Sequence, residues 1–581
     1  MKNRTRFAGL VAGLVMAVTA TVPAAAQAPE EFPREETLYS SGKQWGPISS
    51  WNPIANWAYA MGTLGLVYEP LFNYDPMTNE YIPWLAESGE WTADDEYTIK
   101  LREGVTWADG QPLTADDVIY TIELGKNPVV PYSNIWTFID SVSKTDDQTV
   151  VVKFSDPRHH QWANFLYDRA ILPAHLWKDL PTEQPEDQAA MWIMGSNLDA
   201  ANGWLPIGTG PYQYLSHDPT RQVWEKRDDW WGTEALGLDP KPTYIVDLVN
   251  STNATAMGLV LQGGMDLSNN FLPGAAGPLS GGYGLSTYYS EPPYMIPANT
   301  AWMNLNLTKA PLDDPAFRRA LATSVNVQDI VEKVFGNLVA AASPTGLLPV
   351  WEQWVDQALV DELGFSYDPE AAKQMLADAG YVDNDGDGFV ENKDGSPIQL
   401  ELIVPNGWTD WMESIRVVAD SAQAAGINVQ PAFPDYPAYL EQLQTGAFDL
   451  AIDNRKNLSN TPWTFYNYLF RLPISERQLD ENFARYENEE AWELVNQLDR
   501  TPVDDTEGLK AVMSDLQRIS LTDLPAIPLW YNGAWAQMSN LVWTNWPSDA
   551  GNQFLPVSWN GYWQMGGIRM LDALEHPAPA E

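Results

Sequence analysis

Residues 66–118 constrain the fold more than any other stretch of the chain. A helix end runs into YEPLF (68–72), and LAESGEW (85–91) follows. A strand of alternating aromatics then leads to LREGVTWADG (101–110) and PLTADDV (112–118), which opens a new helix. Thr114 and Asp117 read as a capping box in front of Val118, Ile119 and Ile122. A chain that must make turn, strand, turn and capped helix in this order enters its fold as a mixed α/β unit.

The rest of the chain keeps that mixture. Asp314-Pro315 and Asp368-Pro369 each pair an N-cap with a proline at the first helical position, and Gly380 is expected to stop the second helix. A strand over 398–404, a helix over 412–425 and a strand over 427–430 are expected to form a β–α–β unit. The loop after its first strand carries Asn406, Trp408 and Trp411, where α/β folds commonly place binding groups. No internal repeat is visible, and low complexity is confined to the N-terminal segment and the short tail at 576–581. Helices and short strands alternate irregularly, so the expected class is α/β.

The stretch 66–118 resembles the entry segment of the family 5 extracellular solute-binding proteins, which deliver peptides, nickel or oligosaccharides to ABC importers. Ile207-Gly-Thr-Gly-Pro-Tyr212, Trp302-Met-Asn-Leu-Asn306, Pro311 to Leu321, Gly446-Ala-Phe-Asp-Leu450 and Leu524 to Leu529 resemble further landmarks of that family, in its order. The resemblance implies a two-lobed periplasmic binding protein with a hinge and an additional inserted lobe. It divides the chain into lobe I (29–70, 206–302 and 524–581), the inserted lobe (71–205) and lobe II (303–523). It also implies a monomer, a small-molecule ligand and permease subunits as partners.

Residues 1–28 read as an export signal. Lys2, Arg4 and Arg6 are followed by an apolar core over 8–22 and the small-residue zone Ala24-Ala25-Ala26-Gln27-Ala28. The apolar run is short for a membrane span. The chain has no cysteine, which excludes disulfides, thiolate metal sites, a cysteine nucleophile and a lipid anchor on an N-terminal cysteine. A free periplasmic protein is therefore expected. The formal charge of −44, from 33 basic and 77 acidic residues, repels nucleic acid and anionic lipid. An acidic surface suited to salt explains it more simply than a cationic partner does.

The 27 tryptophans, 25 tyrosines and 17 phenylalanines exceed what cores of this size use. Most are expected in cores, but the surplus suits a surface that stacks on sugar rings. In peptide-binding relatives the strand after Gly446 resembles FD-x-A…GW-x-AD-Y, and the later Asp pairs with the peptide's ammonium group. That position falls on Leu458, and Asn454-Arg455 replaces the Gly-Trp. A buried ammonium without a carboxylate partner would cost several kcal/mol. The departure favours hydroxyl ligands for Asp453, Asn454 and Arg455, ahead of Trp463; capping of the following helix is the structural alternative. The loop holding Trp45, Trp51 and Asn52 resembles the oligosaccharide-binding branch. Trp302 and Trp530 lie on or beside the two crossing strands and are expected either on the cleft floor or buried.

Residues 383–394 have EF-hand-like spacing. Asp383, Asp385, Asp387 and Glu391 supply carboxylates, Gly388 the turn glycine, Phe389 a backbone carbonyl and Asp394 the closing carboxylate. A structural Ca²⁺ site and a plain acidic turn are the two readings, Asp394 standing where the bidentate Glu belongs. With five histidines and no cysteine, a catalytic transition-metal centre is not expected; adjacent His159 and His160 would diverge on a strand. No Ser-His-Asp arrangement, phosphate loop or nucleotide fingerprint appears in its structural context. The leading expectation is a non-enzymatic receptor for a β-linked oligosaccharide of cello or manno type. An oligopeptide receptor of the same fold is the alternative, and a secreted glycoside hydrolase the remote one, since it needs two carboxylates at a set separation.

Overall fold

A computed structural model describes residues 32–578 apart from 43–45, 47, 49, 55–59, 129, 179–204, 251, 276, 278, 280–282, 455–457 and 560. Local signals form as their chemistry dictates. Thr114 and Asp117 close a reciprocal capping box on the helix Ala115–Leu124. Asp314 and Asp368 cap the helices Pro315–Ser324 and Pro369–Asp378, their side chains accepting from the amides of Ala316 and Ala371. His159 and His160 do not diverge on a strand. They open the helix Ala-rich in no way but aromatic on one face, His159–Asp168, because Trp162, Phe165 and Leu166 recur at helical spacing and bury together.

Three larger sheets organise the chain. Lobe I is built on a seven-stranded sheet in the order Leu285–Ser286, Gln537–Ser539, Leu267–Ser268, Thr37–Ser41, Tyr244–Leu248, Arg221–Lys226, Tyr212–Asp218. Its strands come from three separated parts of the chain. The strand Thr37–Ser41 is parallel to both neighbours, Tyr244–Leu248 and Leu267–Ser268, so three carboxyl ends emerge together. An antiparallel four-stranded sheet, Ala86–Ala93, Glu96–Leu101, Thr149–Phe154, Ile139–Asp146, forms the inserted lobe. A five-stranded sheet ordered Val429–Ala432, Leu400–Ile403, Leu450–Asp453, Ile296–Leu305, Ala526–Ala534 joins the lobe II strands to two crossing strands that the expected division at 302 and 523 gives largely or wholly to lobe I.

The chain enters lobe II along Ile296–Leu305 and leaves along Ala526–Ala534, and these two strands pair antiparallel from Ile296↔Ala534 to Asn304↔Ala526. The two crossings therefore lie side by side, which is the arrangement a hinge needs. The expected β–α–β unit is present, with Leu400–Ile403 parallel to Val429–Ala432. Its helix is Thr409–Ala424, starting three residues before the expected position, so Trp411 stands on the helix and Trp408 at its N-cap.

Two landmark motifs meet directly. The amide of Gly210 donates to the carbonyl of Val67 at 2.8 Å. A Cβ at Gly208 would lie 1.9 Å from the Val67 carbonyl oxygen, and one at Gly210 2.2 Å from that of Leu66. Only glycine permits this approach. Nearby, Glu69 is buried and accepts from the indoles of Trp84 at 2.8 Å and Trp231 at 2.9 Å, while burial raises its pKa. Among the described residues no helix is long and apolar enough to cross a membrane.

Candidate functional site

The strand ends of both lobes converge on one cavity. Lobe I supplies Asn253 at the start of the helix Asn253–Leu261, and Asn269, Asn270 and Phe271 just past the strand Leu267–Ser268. Lobe II supplies Gly407, Trp408, Asp410 and Trp411 from the loop and first turn after Leu400–Ile403, with Asn454 just past Leu450–Asp453. Asn532 and Trp535 come from the returning strand and its exit. These are carboxyl-end positions, where α/β sheets place ligands.

The cavity holds about 100 Å³, below the roughly 300–1,000 Å³ of ordinary ligand pockets. Asn253 reaches Thr409 across it, its Nδ2 3.5 Å from the hydroxyl. The lobes are thus drawn together, and a ligand longer than one ring must enter with them parted.

Aromatic rings line one side. Trp408 is half-buried, stands edge-on to Trp411 and stacks on Tyr436, centroids 5.8 Å apart. Trp535 meets Phe271 at 5.3 Å. Side-chain amides supply most of the polar lining, and Asp410 is the one ionisable lining side chain among the described residues. It sits in the first turn of Thr409–Ala424, where the helix dipole favours a negative charge. Amides both donate and accept, so the cavity can match hydroxyls, which do the same. Rings opposite amides can hold a flat, uncharged, hydroxyl-bearing ligand.

Of the residues singled out in the sequence, the cavity gathers Trp408, Trp411 and Asn454. Asn454 donates from Nδ2 to Asn299 Oδ1 at 3.0 Å, which fixes its oxygen. Asn406 is exposed beside the cavity. Trp530 is fully buried one layer behind, edge-on to Trp411 at 6.3 Å, and supports it. Asp453 is buried within lobe II, where Tyr468 donates to it at 3.1 Å. Trp302 packs against Phe465 and over Gly346 in the lobe II core. Trp51 is buried on lobe I, its indole donating to Gln222 at 2.7 Å, and Asn52 accepts from the amide of Ile54 in a turn. Trp463 lines a separate cavity of about 190 Å³ with Asn164, Asp168, Arg169 and Thr464. Trp45 and Arg455 lie outside the described residues. Leu458, where the resemblance to peptide-binding members implies an Asp, is buried, and its amide donates to Ala298 at 3.1 Å.

Asn253, Asn269, Asn270, Phe271, Asp410, Asn532 and Trp535 were not read from the sequence. One signal could have found three of them: Asn269-Asn270-Phe271 directly follows a strand, at its carboxyl end.

The acidic loop brings together oxygens of Asp383, Asp385, Asp387 and Glu391 within 4.8 Å of one another. The carboxylates also accept from the loop's own amides, Gly388 to Asp383 at 3.0 Å and Phe389 to Asp387 at 2.8 Å among them. Asp394 is outside this group and accepts from Ser396 instead.

The family model described as "Bacterial extracellular solute-binding proteins, family 5 Middle" matches residues 80–474. A crystal structure of the periplasmic oligopeptide-binding protein of an oligopeptide ABC transporter from Thermotoga maritima, with mannohexaose bound, is similar over 94% of this chain and 99% of its own, at 43% identity and a TM-score of 0.84. The oligopeptide-binding protein AppA of Bacillus subtilis is 25% identical over 451 residues, 77% of each chain. A protein of Deinococcus radiodurans named as a probable ABC transporter-binding protein is 24% identical, and the chain spans 62% of its length.

Proposed function

The chain belongs to the bacterial extracellular solute-binding proteins of family 5, and from that premise we propose that it is the receptor of an ABC importer for a neutral oligosaccharide, β-linked and of cello or manno type. The observation that carries the ligand is the cavity lining: asparagine amides facing Trp408, Trp411 and Trp535, with Asp410 the one ionisable side chain among the described residues. A free peptide brings an ammonium and a carboxylate into the cleft. No cationic side chain among the described lining residues meets the carboxylate; Leu458 offers nothing to the ammonium, for which Asp410 is the one acidic group in the described lining. Leaving the carboxylate buried and unpaired costs several kcal/mol. Hydroxyls on a flat ring meet amides and indoles without that cost. The mannohexaose bound to the 43%-identical Thermotoga maritima protein supports the same ligand class.

An oligopeptide remains the second reading, favoured by the name of the Bacillus subtilis relative. On the leading reading the ligand enters between parted lobes, stacks on tryptophan and is enclosed as the hinge closes. The closed pair of lobes then presents one surface to the permease, with no chemistry done on the sugar. The protein acts as a monomer in the periplasm, which it reaches through a cleavable signal over residues 1–28, outside the described residues. The division into lobes at 70, 205, 302 and 523 belongs to the same reading, as does a structural Ca²⁺ held by the loop 383–394. Calorimetric titration with cello-, manno- and laminari-oligosaccharides and with mixed peptides tests the ligand class, and chromatography of the sugar afterwards tests for turnover.

A further inference from the structure

Buried polar atoms nearly always find partners, and each one left without costs about 1–3 kcal/mol. Among the described residues, four oxygens without a donor lie at or just past the carboxyl ends of the three parallel strands of lobe I. They are Asn250 Oδ1, Asn253 Oδ1, Asn270 Oδ1 and Asp247 Oδ2. All four residues are more than nine-tenths buried, and Asn253 and Asn270 line the cleft cavity. The amide nitrogens are already committed: both Asn250 and Asn270 donate to the hydroxyl of Ser41, the latter at 3.0 Å. The Ser41 carbonyl, which Asn270 Nδ2 also reaches at 3.1 Å, can only accept and so fixes which way that amide faces; the Ser41 hydroxyl spends its proton on the Leu248 carbonyl at 3.3 Å and so takes the Asn250 amide as a donor. Asp247 is held the same way, its Oδ1 accepting from the amide of Gly42 at 3.0 Å while Oδ2 has no donor.

The three orphaned amide oxygens can only accept, so what completes them must donate; Asp247 Oδ2 joins them as an acceptor when its carboxyl is ionised. We propose that Asn253 and Asn270, backed by Asn250 and Asp247, form an acceptor subsite that fixes the terminal sugar of the ligand through its hydroxyl protons. This rests on the oligosaccharide reading and adds to it a polarity: lobe I reads hydroxyls as donors, while the lobe II tryptophans read ring faces. Most orphan acceptors here are neutral carboxamides, which suit hydroxyls better than an ammonium, whose charge needs carboxylates.

The test uses the full-length protein and mannohexaose, or whichever cello-, manno- or laminari-oligosaccharide it binds most tightly. Asn253→Ala removes one acceptor at a helix start that Thr252 caps, and is expected to weaken binding about tenfold. Asn253→Asp keeps an oxygen there and is expected to stay within about threefold of the parent. Asn270→Ala is expected to match Asn253→Ala, with thermal melting used to discard it if the fold is lost. Unchanged sugar affinity in a folded Asn253→Ala protein overturns the subsite while the oligosaccharide reading stands. If the unaltered protein ignores every sugar and binds free peptides, that reading falls and the hydroxyl subsite with it.

Discussion

The indole of Trp408 stands edge-on to that of Trp411, ring centroids 4.9 Å apart and planes at 83°. Trp411 in turn meets Trp530 at 6.3 Å, Trp530 meets Phe335 at 5.3 Å, and Phe335 stacks on Trp535 at 6.0 Å. Trp535 closes on Phe271 of lobe I. An unbroken run of ring contacts thus passes behind the cavity from one lobe to the other. Edge-to-face and offset contacts of this kind hold ring orientations better than aliphatic packing does, so the faces offered to a ligand are set in advance.

The run separates two roles that a substitution can tell apart. Trp408 is half-buried at the cavity, whereas Trp411 is 4% exposed and supported by Trp530. Trp408→Ala is expected to weaken oligosaccharide binding about tenfold with little loss of stability. Trp411→Ala should cost about 3 kcal/mol of stability as well as affinity. Calorimetry and thermal melting on the two proteins check this, and equal melting losses would refute the division.

How far the sequence reveals such a site depends on how local the determinants are. The caps at Thr114, Asp314 and Asp368 were legible because each signal and its target lie within three residues. Trp408 and Trp411 were legible because a strand-to-helix loop announces itself. Trp302 and Trp530 were not placed, since a strand residue turns to the core or to the cleft by the parity of a register that pairing partners decide. Trp302 sits opposite Asp453 and Pro528, on strands contributed by distant parts of the chain. Asn253 and Asn532 were missed for a related reason: nothing near them in sequence shows which distant segments they face across the cavity.

The close approach of the two glycines to residues 66 and 67 gives a second prediction. Gly210→Ala would place Cβ 2.2 Å from the Leu66 carbonyl oxygen and 2.8 Å from its carbon. Backbone cannot yield as a flexible side chain can, so the expected loss is about 3 kcal/mol of stability. A melting temperature equal to that of the parent protein would show that the turn relaxes.

Asp247 sets a pH dependence. Burial raises its pKa from 3.8 to about 7. The proton-bound form is the one the fold favours, so its contribution is fully present below pH 3.8 and is lost as pH rises through 7. Asp247→Asn keeps the oxygen facing Gly42 and never ionises. It should therefore be more stable than the parent at pH 8, with the advantage shrinking toward pH 5. His160 acts in the opposite sense: burial lowers its pKa from 6.5 to about 3, so its contribution is present above 6.5 and lost as pH falls toward 3. Because both proteins carry His160, the difference between their melting temperatures isolates Asp247. A difference that does not change with pH would contradict the assignment.

The acidic loop makes a prediction independent of the cleft. Ca²⁺ is expected to raise the melting temperature and a chelator to lower it, and Asp385→Asn should abolish both effects while leaving sugar affinity unchanged. Identical melts with Ca²⁺ and with chelator would leave residues 383–394 as an acidic turn.

The most direct measurement is calorimetric titration of the unaltered protein with mannohexaose and, in parallel, with mixed di- to pentapeptides. Saturable one-to-one binding of the sugar, recovered intact afterwards, with no heat from the peptides, is the predicted result. Binding of peptides alone would contradict the account, and would mean that the amide-lined cavity accommodates charged chain ends despite holding Asp410 as its one ionisable side chain among the described residues.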